Sequence, residues 1–372
     1  MRTKAVILTS ILLCGIGFMS CDSGRTLTSA TGTVYECLVV MPDRHLAGEI
    51  ANPWAVENGN GYTGPVNSTY GLVAACMSAD MTHMPQVEPY FKLSRVKPEA
   101  FDEFLKPTRN ILIVDIDDTK YTQVKCKVST DVWSTPQAVY HIQAPNDTAF
   151  VSYWLAHGTG IRQWFVDQEM LRQASFYRRM PNGDAIARLE KDHHYGLAIP
   201  EEYVFVKDTT LENDIRVFLT CNNKGPMTRY LVLYSYPYTD TCQFALSSLN
   251  QMRDSVLSRI ISGQTEGSYI GTEYKEDQPE LRQLTSLYAN EGGFYGEEIR
   301  GLWKLYGGEA MGGAYVSHTR LDQVNARVVT VEAMLFAPGQ KKRNALRQAE
   351  AVLYTLEMPN ELAARQQPAS EE

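Results

Sequence analysis

The chain has 372 residues, of which 44% are hydrophobic and 21% charged, and its formal net charge at pH 7 is −8. A net negative charge excludes the basic surface by which proteins usually bind nucleic acid. The length is enough for about two globular domains, and after residue 20 no apolar run approaches the roughly 20 residues of a membrane-spanning helix.

The first twenty residues have the pattern of a secretory leader. Arg2 and Lys4 precede a continuous apolar run over residues 5–19. A positive start followed by an apolar core is typical of signal peptides, which are removed and take no part in the fold. We therefore predict a signal peptide over residues 1–20 and expect the protein to be exported.

The end of this leader resembles the lipobox of bacterial lipoproteins, in which a cysteine that follows a small residue receives the lipid. The segment Phe18-Met19-Ser20-Cys21 carries this pattern. The resemblance implies lipidation of Cys21 and a polar lipidated tether over residues 21–32. The alternative is an ordinary secretory signal in which Cys21 is incidental. No acidic cluster follows Cys21, which favours an anchor in the outer membrane with the body facing the periplasm.

Five cysteines remain once Cys14 is removed and Cys21 is acylated. The number is odd, so at least one thiol stays unpaired or pairs between chains. No C-x-x-C spacing indicates a zinc ribbon or a thioredoxin-like redox pair. One or two disulfides are compatible with an oxidising periplasm. Buried free thiols are the alternative that we favour for Cys37, Cys76, Cys126, Cys221 and Cys242.

Residues 33–185 predict an N-terminal α+β domain. Strands are expected where β-branched and aliphatic residues cluster, and helices where apolar residues recur on one face. The predicted strands are 33–41, 109–116, 121–129 and 138–144, and the predicted helices are 68–81, 97–106, 146–158 and 160–180. Residues 181–196 are polar and broken, and we predict the domain boundary there.

Residues 186–358 predict a second α+β domain, followed by a disordered polar tail over residues 359–372. The predicted strands are 202–208, 215–221, 229–236, 268–275, 299–306 and 327–336, and the predicted helices are 240–263 and 340–356. The fold class is therefore α+β, with two α+β halves of mostly antiparallel sheets packed against a few long helices.

The segment RNILIVDIDDTK, residues 109–120, ends an apolar strand in three carboxylates. It resembles the first motif of the haloacid dehalogenase phosphatases, which implies Asp115 as nucleophile, Asp117 as acid/base and Mg²⁺ as cofactor. That family needs a helix after this strand, whereas residues 121–142 alternate like strands. It also needs a later acidic pair at a strand end to hold Mg²⁺. We favour a strand that ends in a solvated turn, without a cofactor, and keep a magnesium-dependent phosphohydrolase as the alternative.

A glycine-rich aromatic stretch around residues 295–315 includes Trp303 and Tyr306. Aromatic side chains among glycines can form a face that binds sugars or peptides, so these two residues are ligand-binding candidates. An ordinary sheet face is the interpretation that we favour, because glycines also permit close backbone approach.

Two shorter patterns complete the set of candidates. The triplet at residues 208–210 resembles a periplasmic O-glycosylation signal, with Thr209, in a predicted loop, as the acceptor. His193 and His194 are adjacent, but no third ligand is spaced to join them, so the sequence predicts no metal site.

Four blocks resemble, in order, the signature of an uncharacterised family of Gram-negative bacterial envelope lipoproteins. They are MPQVEPYFKLSRVKPEAFDEFLKPTRNILIVDI, DVWSTPQAV, RGLWKLYGGEAMGGAYVSH and FAPGQKKRNALRQAEAVLYTLE, within residues 33–358. The resemblance implies a periplasm-facing lipoprotein of unknown function without established catalytic residues. Asp115 belongs to the first block, which weakens the phosphatase hypothesis.

The sequence therefore favours a non-enzymatic envelope lipoprotein, a binding or assembly module anchored to a membrane through Cys21. We expect it to dock an outer-membrane protein partner and no nucleic acid. Two alternatives stay open, a phosphohydrolase that uses Asp115 and Asp117 and a carbohydrate-binding lipoprotein that uses Trp303.

Overall fold

The computed structural model describes residues 27–46, 68–284 and 295–366. The predicted signal peptide and Cys21 lie outside these ranges. In the part of the chain that is described, no helix is both long and apolar enough to cross a membrane.

The first sheet is formed by residues of the predicted N-terminal domain. Its strands are β2 Glu36–Val40, β3 Lys92–Val96, β4 Asn110–Ile116, β5 Lys125–Thr130 and β7 Ala138–Ala144. Their spatial order is β3-β2-β4-β7-β5. The first four are mutually parallel and β5 is antiparallel to β7. A separate short parallel ladder joins β1 Thr28–Ser29 to β6 Ser134–Thr135.

The parallel centre of this sheet explains the continuous apolar run that the sequence shows in β4. Leu112, Val114 and Ile116 belong to the main core on the helix side. Ile111 and Ile113 point to the other face and join a smaller apolar cluster. Strands that are buried on both faces read as unbroken apolar runs, as central parallel strands do.

The second sheet is antiparallel throughout. Its strands are β8 Val204–Leu211, β9 Ile215–Asn222, β10 Thr228–Pro237, β11 Tyr269–Thr272, β12 Glu280–Gln283, β13 Gly296–Tyr306, β14 Gly312–Asp322 and β15 Arg327–Phe336. They lie in the order β11-β13-β14-β15-β10-β9-β8, and β12 also pairs with β13. The predicted α+β class with mostly antiparallel pairing is confirmed, and the parallel centre of the first sheet is the exception.

The helices connect the two sheets through a shared core. They are α1 Thr69–Met77, α2 Asp147–Arg179, α3 Gly183–His193, α4 Leu246–Ile260, α5 Arg343–Leu353 and α6 Pro359–Gln366. α2 packs on the first sheet and against α5, and α5 packs on β14 and β15. One apolar cluster includes residues of both sheets and of α1, α2, α3 and α5. α4 covers a second cluster on the opposite face of the second sheet. The predicted boundary between two domains at residues 185 and 186 stays a prediction.

α2 is a single helix of 33 residues, so the prediction of two helices, 146–158 and 160–180, is wrong. Asn146 caps it by accepting a hydrogen bond from the backbone N–H of Ala149. Each glycine inside a helix costs about 1 kcal/mol relative to alanine. Burial of the helix against the first sheet exceeds that cost, and the helix continues through Gly158 and Gly160.

The polar segment 181–196 is also ordered, since α3 occupies most of it. Asn182 caps α3 through the backbone N–H of Ala185, and the helix buries Leu189. The prediction of a broken segment is therefore wrong, because a short amphipathic helix can be polar on most of its surface.

Two other predicted segments differ from the structure. Over residues 97–106 only a single 3-10 turn forms, at Pro98–Ala100. The Asp102 carboxylate accepts from the backbone N–H groups of Phe104 and Leu105, which offers the chain an alternative to a helix. The predicted disordered tail begins with α6, which an ion pair between Glu361 and Arg320 holds to the sheet.

Candidate functional site

A cleft of about 820 Å³ lies between the loop formed by residues 79–87 and one end of the second sheet. The opposite wall contains residues 273–277 after β11, the end of β13 and the start of β14. The volume falls in the range of roughly 300–1,000 Å³ that is usual for ligand sites. This cleft is the best candidate for a functional site in the described structure.

The loop of residues 79–87 is held in a closed form by its own ends and by α5. Asp80 pairs with Pro89 in an antiparallel bridge. The buried carboxylate of Glu88 accepts hydrogen bonds from the backbone N–H groups of residues 342 and 343. Because α5 begins there, this wall of the cleft is fixed relative to the second sheet.

The apolar part of the cleft is rich in methionine. Met81 and Met84 from the loop face Met311, Leu302 and Leu305 from the second sheet. Methionine side chains are flexible and polarisable, so they adapt to apolar groups of different shape. The lining therefore suits a ligand with apolar side chains better than a small polar ion.

Carboxylates exceed cations among the lining residues. Glu273 is buried and forms an ion pair with Lys304. The hydrogen bond from Lys304 holds the pKa of Glu273 below its usual range. The two remaining unpaired carboxylates of the lining are Asp80 and Glu276.

His83 contacts two partly exposed carboxylates beside the cleft. Its Nδ1 lies 2.9 Å from Oδ2 of Asp277, and its Nε2 lies 3.1 Å from Oε2 of Glu280. Arg282 donates to the same Glu280 carboxylate at 2.6 Å. This hydrogen bond, aided by His83, lowers the pKa of Glu280. The imidazole is thus fully engaged, and it positions the acidic wall.

Asp80 has a different environment from the other carboxylates of the lining. It is half-buried, and burial raises its pKa above the ordinary value of 3.8. Burial is the sole cause of that shift, and no side-chain cation of the described ranges forms an ion pair with Asp80. Partial burial of a carboxylate without a counter-charge costs free energy.

Behind the cleft, five buried ionisable side chains form what we call the charged junction. Arg300 pairs with Glu298 at 2.6 Å and with Glu350 of α5. His318 Nε2 lies 3.3 Å from the Glu298 carboxylate, and Arg347 pairs with Glu350 at 3.2 Å. Each carboxylate contacts at least one arginine, and the five side chains come from β13, β14 and α5. The charged junction therefore fixes α5 on the second sheet.

Tyr90 lies beside this junction, with the Arg162 guanidinium 4.2 Å and the Arg347 guanidinium 5.4 Å from its ring centroid. Burial acts to raise the pKa of Tyr90, but the surrounding arginines outweigh it and lower the pKa. Arg347 is also paired with Glu350, so Tyr90 packs against a side chain of the charged junction.

Trp303 and Tyr306, the ligand-binding candidates from the sequence, are engaged with the protein itself. Trp303 lines the cleft but is only 1% exposed, and its indole N–H donates to the Leu335 carbonyl at 3.3 Å. Tyr306 stacks on Tyr269 with ring centroids 5.4 Å apart. Its hydroxyl donates to the Thr272 carbonyl at 2.7 Å.

The glycines near Trp303 have a packing role. Trp303 lies opposite Gly313 in the β13–β14 ladder. A Cβ on Gly313 would lie 1.8 Å from the Leu335 carbonyl oxygen. No side chain fits there, so glycine is required where these strands meet.

Asp115 and Asp117 lie at the end of β4, and both carboxylates have partners in their own turn. Asp115 accepts a hydrogen bond from the Tyr121 hydroxyl at 2.6 Å. Asp117 accepts from the hydroxyl and N–H of Thr119 and pairs with Lys120 at 2.9 Å. Hydrogen bonds from Thr119 and Lys120 hold the pKa of Asp117 well below its usual range. β4 continues into this turn and then β5, without a helix.

The remaining predicted residues lie away from the cleft. Thr209 is half-buried in the edge strand β8 and not in a loop, next to Asp208, which bonds His193 at 3.0 Å. Cys21 is outside the described residues. In the described chain the thiols are free, buried at Cys37, Cys76 and Cys221 and exposed at Cys126 and Cys242.

Residues that could hold a metal ion do not converge in the described structure, where no group of three or more His, Cys, Asp or Glu side chains has the required proximity. Sequence reasoning also missed the cleft residues Asp80, His83 and Met84. The available signal was the Pro-Gln-Val-Glu-Pro block of residues 85–89, whose glutamate ties the loop to α5.

Comparison with known proteins gives two matches that follow each other along the chain. Residues 62–178 match the domain of unknown function DUF8532, and residues 182–355 match the domain of unknown function DUF4837. Both matches are to domains whose function is unknown. No curated protein matches it. The resemblance to a family of unknown function is confirmed.

The two walls of the cleft come from different matched regions. Its loop wall, residues 79–87, lies in the DUF8532 part, and its sheet wall, residues 273–313, lies in the DUF4837 part. Ligand sites occur preferentially where domains meet. Both matched regions therefore contribute walls to this cleft.

Proposed function

We propose that this protein is a lipid-anchored, non-enzymatic binding module of the bacterial cell envelope, which holds a partner protein in the cleft between its two parts. The observation that carries the proposal is the cleft itself, with about 820 Å³ of space, a methionine-rich floor and an acidic rim. A binding role needs a concave surface and charged groups that a partner can complement, and the cleft has both features.

The predicted lipid on Cys21 would limit how far the folded body can lie from the membrane. Thr28 already pairs with Ser134 in the β1–β6 ladder, so only residues 22–27 separate Cys21 from the folded body. A chain of that length spans at most about 25 Å when it is fully extended. A lipid on Cys21 would therefore keep β1 and the folded body close to the membrane surface, which favours an outer-membrane protein as the partner.

The alternatives have weaker support. A phosphohydrolase would require free carboxylates at Asp115 and Asp117, and both are bound within their own turn. A sugar-binding face would require an exposed ring at Trp303, and this ring is 1% exposed. We favour a binding function, because neither the carboxylates that a phosphohydrolase needs nor the ring that a sugar-binding face needs is available.

The test is recovery of the partner from native membranes in mild detergent with the tagged, lipidated protein. Ala310 is exposed and lines the cleft, so Ala310→Trp would fill it. Asn223→Trp adds the same side chain to an exposed turn that does not line the cleft. Cys21→Ala removes the predicted acceptor of the lipid.

We expect one stoichiometric membrane protein to be retained by the unaltered protein and by Asn223→Trp, and lost with Ala310→Trp. Cys21→Ala should move the protein from the membrane fraction to the soluble fraction. Recovery of no stoichiometric partner would refute the binding role. A partner that is retained equally by Ala310→Trp would show that the cleft is not its site.

A further inference from the structure

The charge of the cleft is unbalanced once its internal ion pairs are set aside. Lys304 is paired with Glu273, and His83 lies between Asp277 and Glu280. Among the lining residues these contacts leave Asp80 and Glu276 as the carboxylates that form no ion pair with a described side chain. The free charge that a ligand meets in the cleft is therefore negative.

Of these two carboxylates, Asp80 is the one that should form the stronger ion pair with a bound cation. It is half-buried at the base of the loop, whereas Glu276 is exposed on the rim. An ion pair is stronger where the walls exclude water than on an open surface. A cation that enters the cleft gains more beside Asp80 than beside Glu276.

The apolar floor of the cleft indicates which groups the ligand has beside its cation. Met81, Met84 and Met311 line the same cleft as Asp80, together with Leu302 and Leu305 of β13. A hydrated metal ion or a small amine would leave this surface uncovered. An extended segment with apolar side chains beside a lysine or arginine satisfies both the floor and the charge.

We infer that the cleft binds a short basic–apolar peptide segment of the partner protein, with Asp80 holding a lysine or arginine side chain. This inference rests on the proposed binding function and names the chemistry that the same cleft selects. Glu276 on the rim adds attraction over a longer distance. The methionines accept the apolar side chains on either side of the cation.

The test uses three fluorescein-labelled hexapeptides of one pattern, Leu-Xaa-Val-Leu-Xaa-Val, in which Xaa is Lys, Gln or Glu. Binding to the full-length mature protein is measured by fluorescence anisotropy. The variants are Asp80→Asn, Glu276→Gln, Ala310→Trp and the matched control Asp192→Asn. Asp192 is exposed at the end of α3, outside the cleft lining.

We expect the Lys peptide to bind about tenfold more tightly than the Gln peptide, and the Glu peptide to bind least. Asp80→Asn should weaken the Lys peptide about tenfold and leave the Gln peptide unchanged. Glu276→Gln should weaken the Lys peptide about two- to threefold. Asp192→Asn should change neither. An increase from about 50 to about 300 mM salt should weaken only the Lys peptide.

The outcomes separate the ligand class from the proposed function. If the Lys and Gln peptides bind equally and Asp80→Asn has no effect, the inferred cation is refuted. Loss of both peptides in Ala310→Trp would then still identify the cleft as the binding site. If no peptide binds the unaltered protein, the peptide class is refuted, and the recovery of the membrane partner decides the binding function separately.

Discussion

Two glycines, two residues apart in α2, face opposite environments. Gly160 is exposed, and a Cβ there would meet nothing within 4 Å. Gly158 is buried, and a Cβ there would lie 2.9 Å from Cε2 of Trp154 and 3.3 Å from Sγ of Cys76. Substitution by alanine should therefore change stability with opposite sign at the two positions.

The magnitudes follow from helix propensity and packing. Gly160→Ala should raise the free energy of unfolding by about 0.5–1 kcal/mol, because alanine loses less conformational freedom in a helix. Gly158→Ala gains the same helix preference, but the new methyl group would press on Trp154. This ring is fully buried and stacks on Phe150, so it cannot shift away without disturbing the core. Overpacking of this kind costs about 1–3 kcal/mol. The net result should be a loss of up to about 2 kcal/mol.

Urea unfolding, followed by circular dichroism and tryptophan fluorescence, measures both variants against the non-lipidated Cys21→Ala protein. The midpoint should rise for Gly160→Ala and fall for Gly158→Ala, without a change in the urea dependence. Equal stabilisation by both substitutions would refute the packing of α2 against α1 at Gly158. Destabilisation by Gly160→Ala would refute a continuous helix.

Four further variants test the interior and the rejected sites. Glu332→Gln should lower the free energy of unfolding by about 3–5 kcal/mol, because it leaves the buried Arg253 guanidinium without the carboxylate that it contacts at 2.8 Å. The double variant Arg253→Met/Glu332→Leu should recover most of that loss in urea unfolding, and additive losses would contradict the pairing. Trp303→Ala should cost about 3–5 kcal/mol in the same assay, since the side chain is buried; a variant as stable as the unaltered protein would contradict a core role. The protein should show no magnesium-dependent hydrolysis of p-nitrophenyl phosphate, and a measurable rate that Asp115→Asn abolishes would restore the phosphohydrolase hypothesis.

Local sequence patterns were sufficient where one element carries its own signals. The apolar run of Ile111 to Val114 and its neighbours predicted β4, and the helix of residues 240–263 was predicted from its periodicity and appears as α4 after a capped 3-10 turn. The patterns failed at Gly158 and Gly160, where propensity favours a break. Packing of α2 on the first sheet overrides that preference because a weak local penalty is smaller than the burial of a helix face.

The sequence by itself determined the α+β class and the order of most strands and helices, whereas the leader and the lipid acceptor Cys21 stay predictions. These depend on residues that are close along the chain. Only the tertiary structure decided that the first sheet has a parallel centre and that Trp303 faces the interior. It also brought the loop of residues 79–87 to the strands of residues 296–322. No local pattern links segments about two hundred residues apart, because strand order and the packing of α5 decide which of them meet.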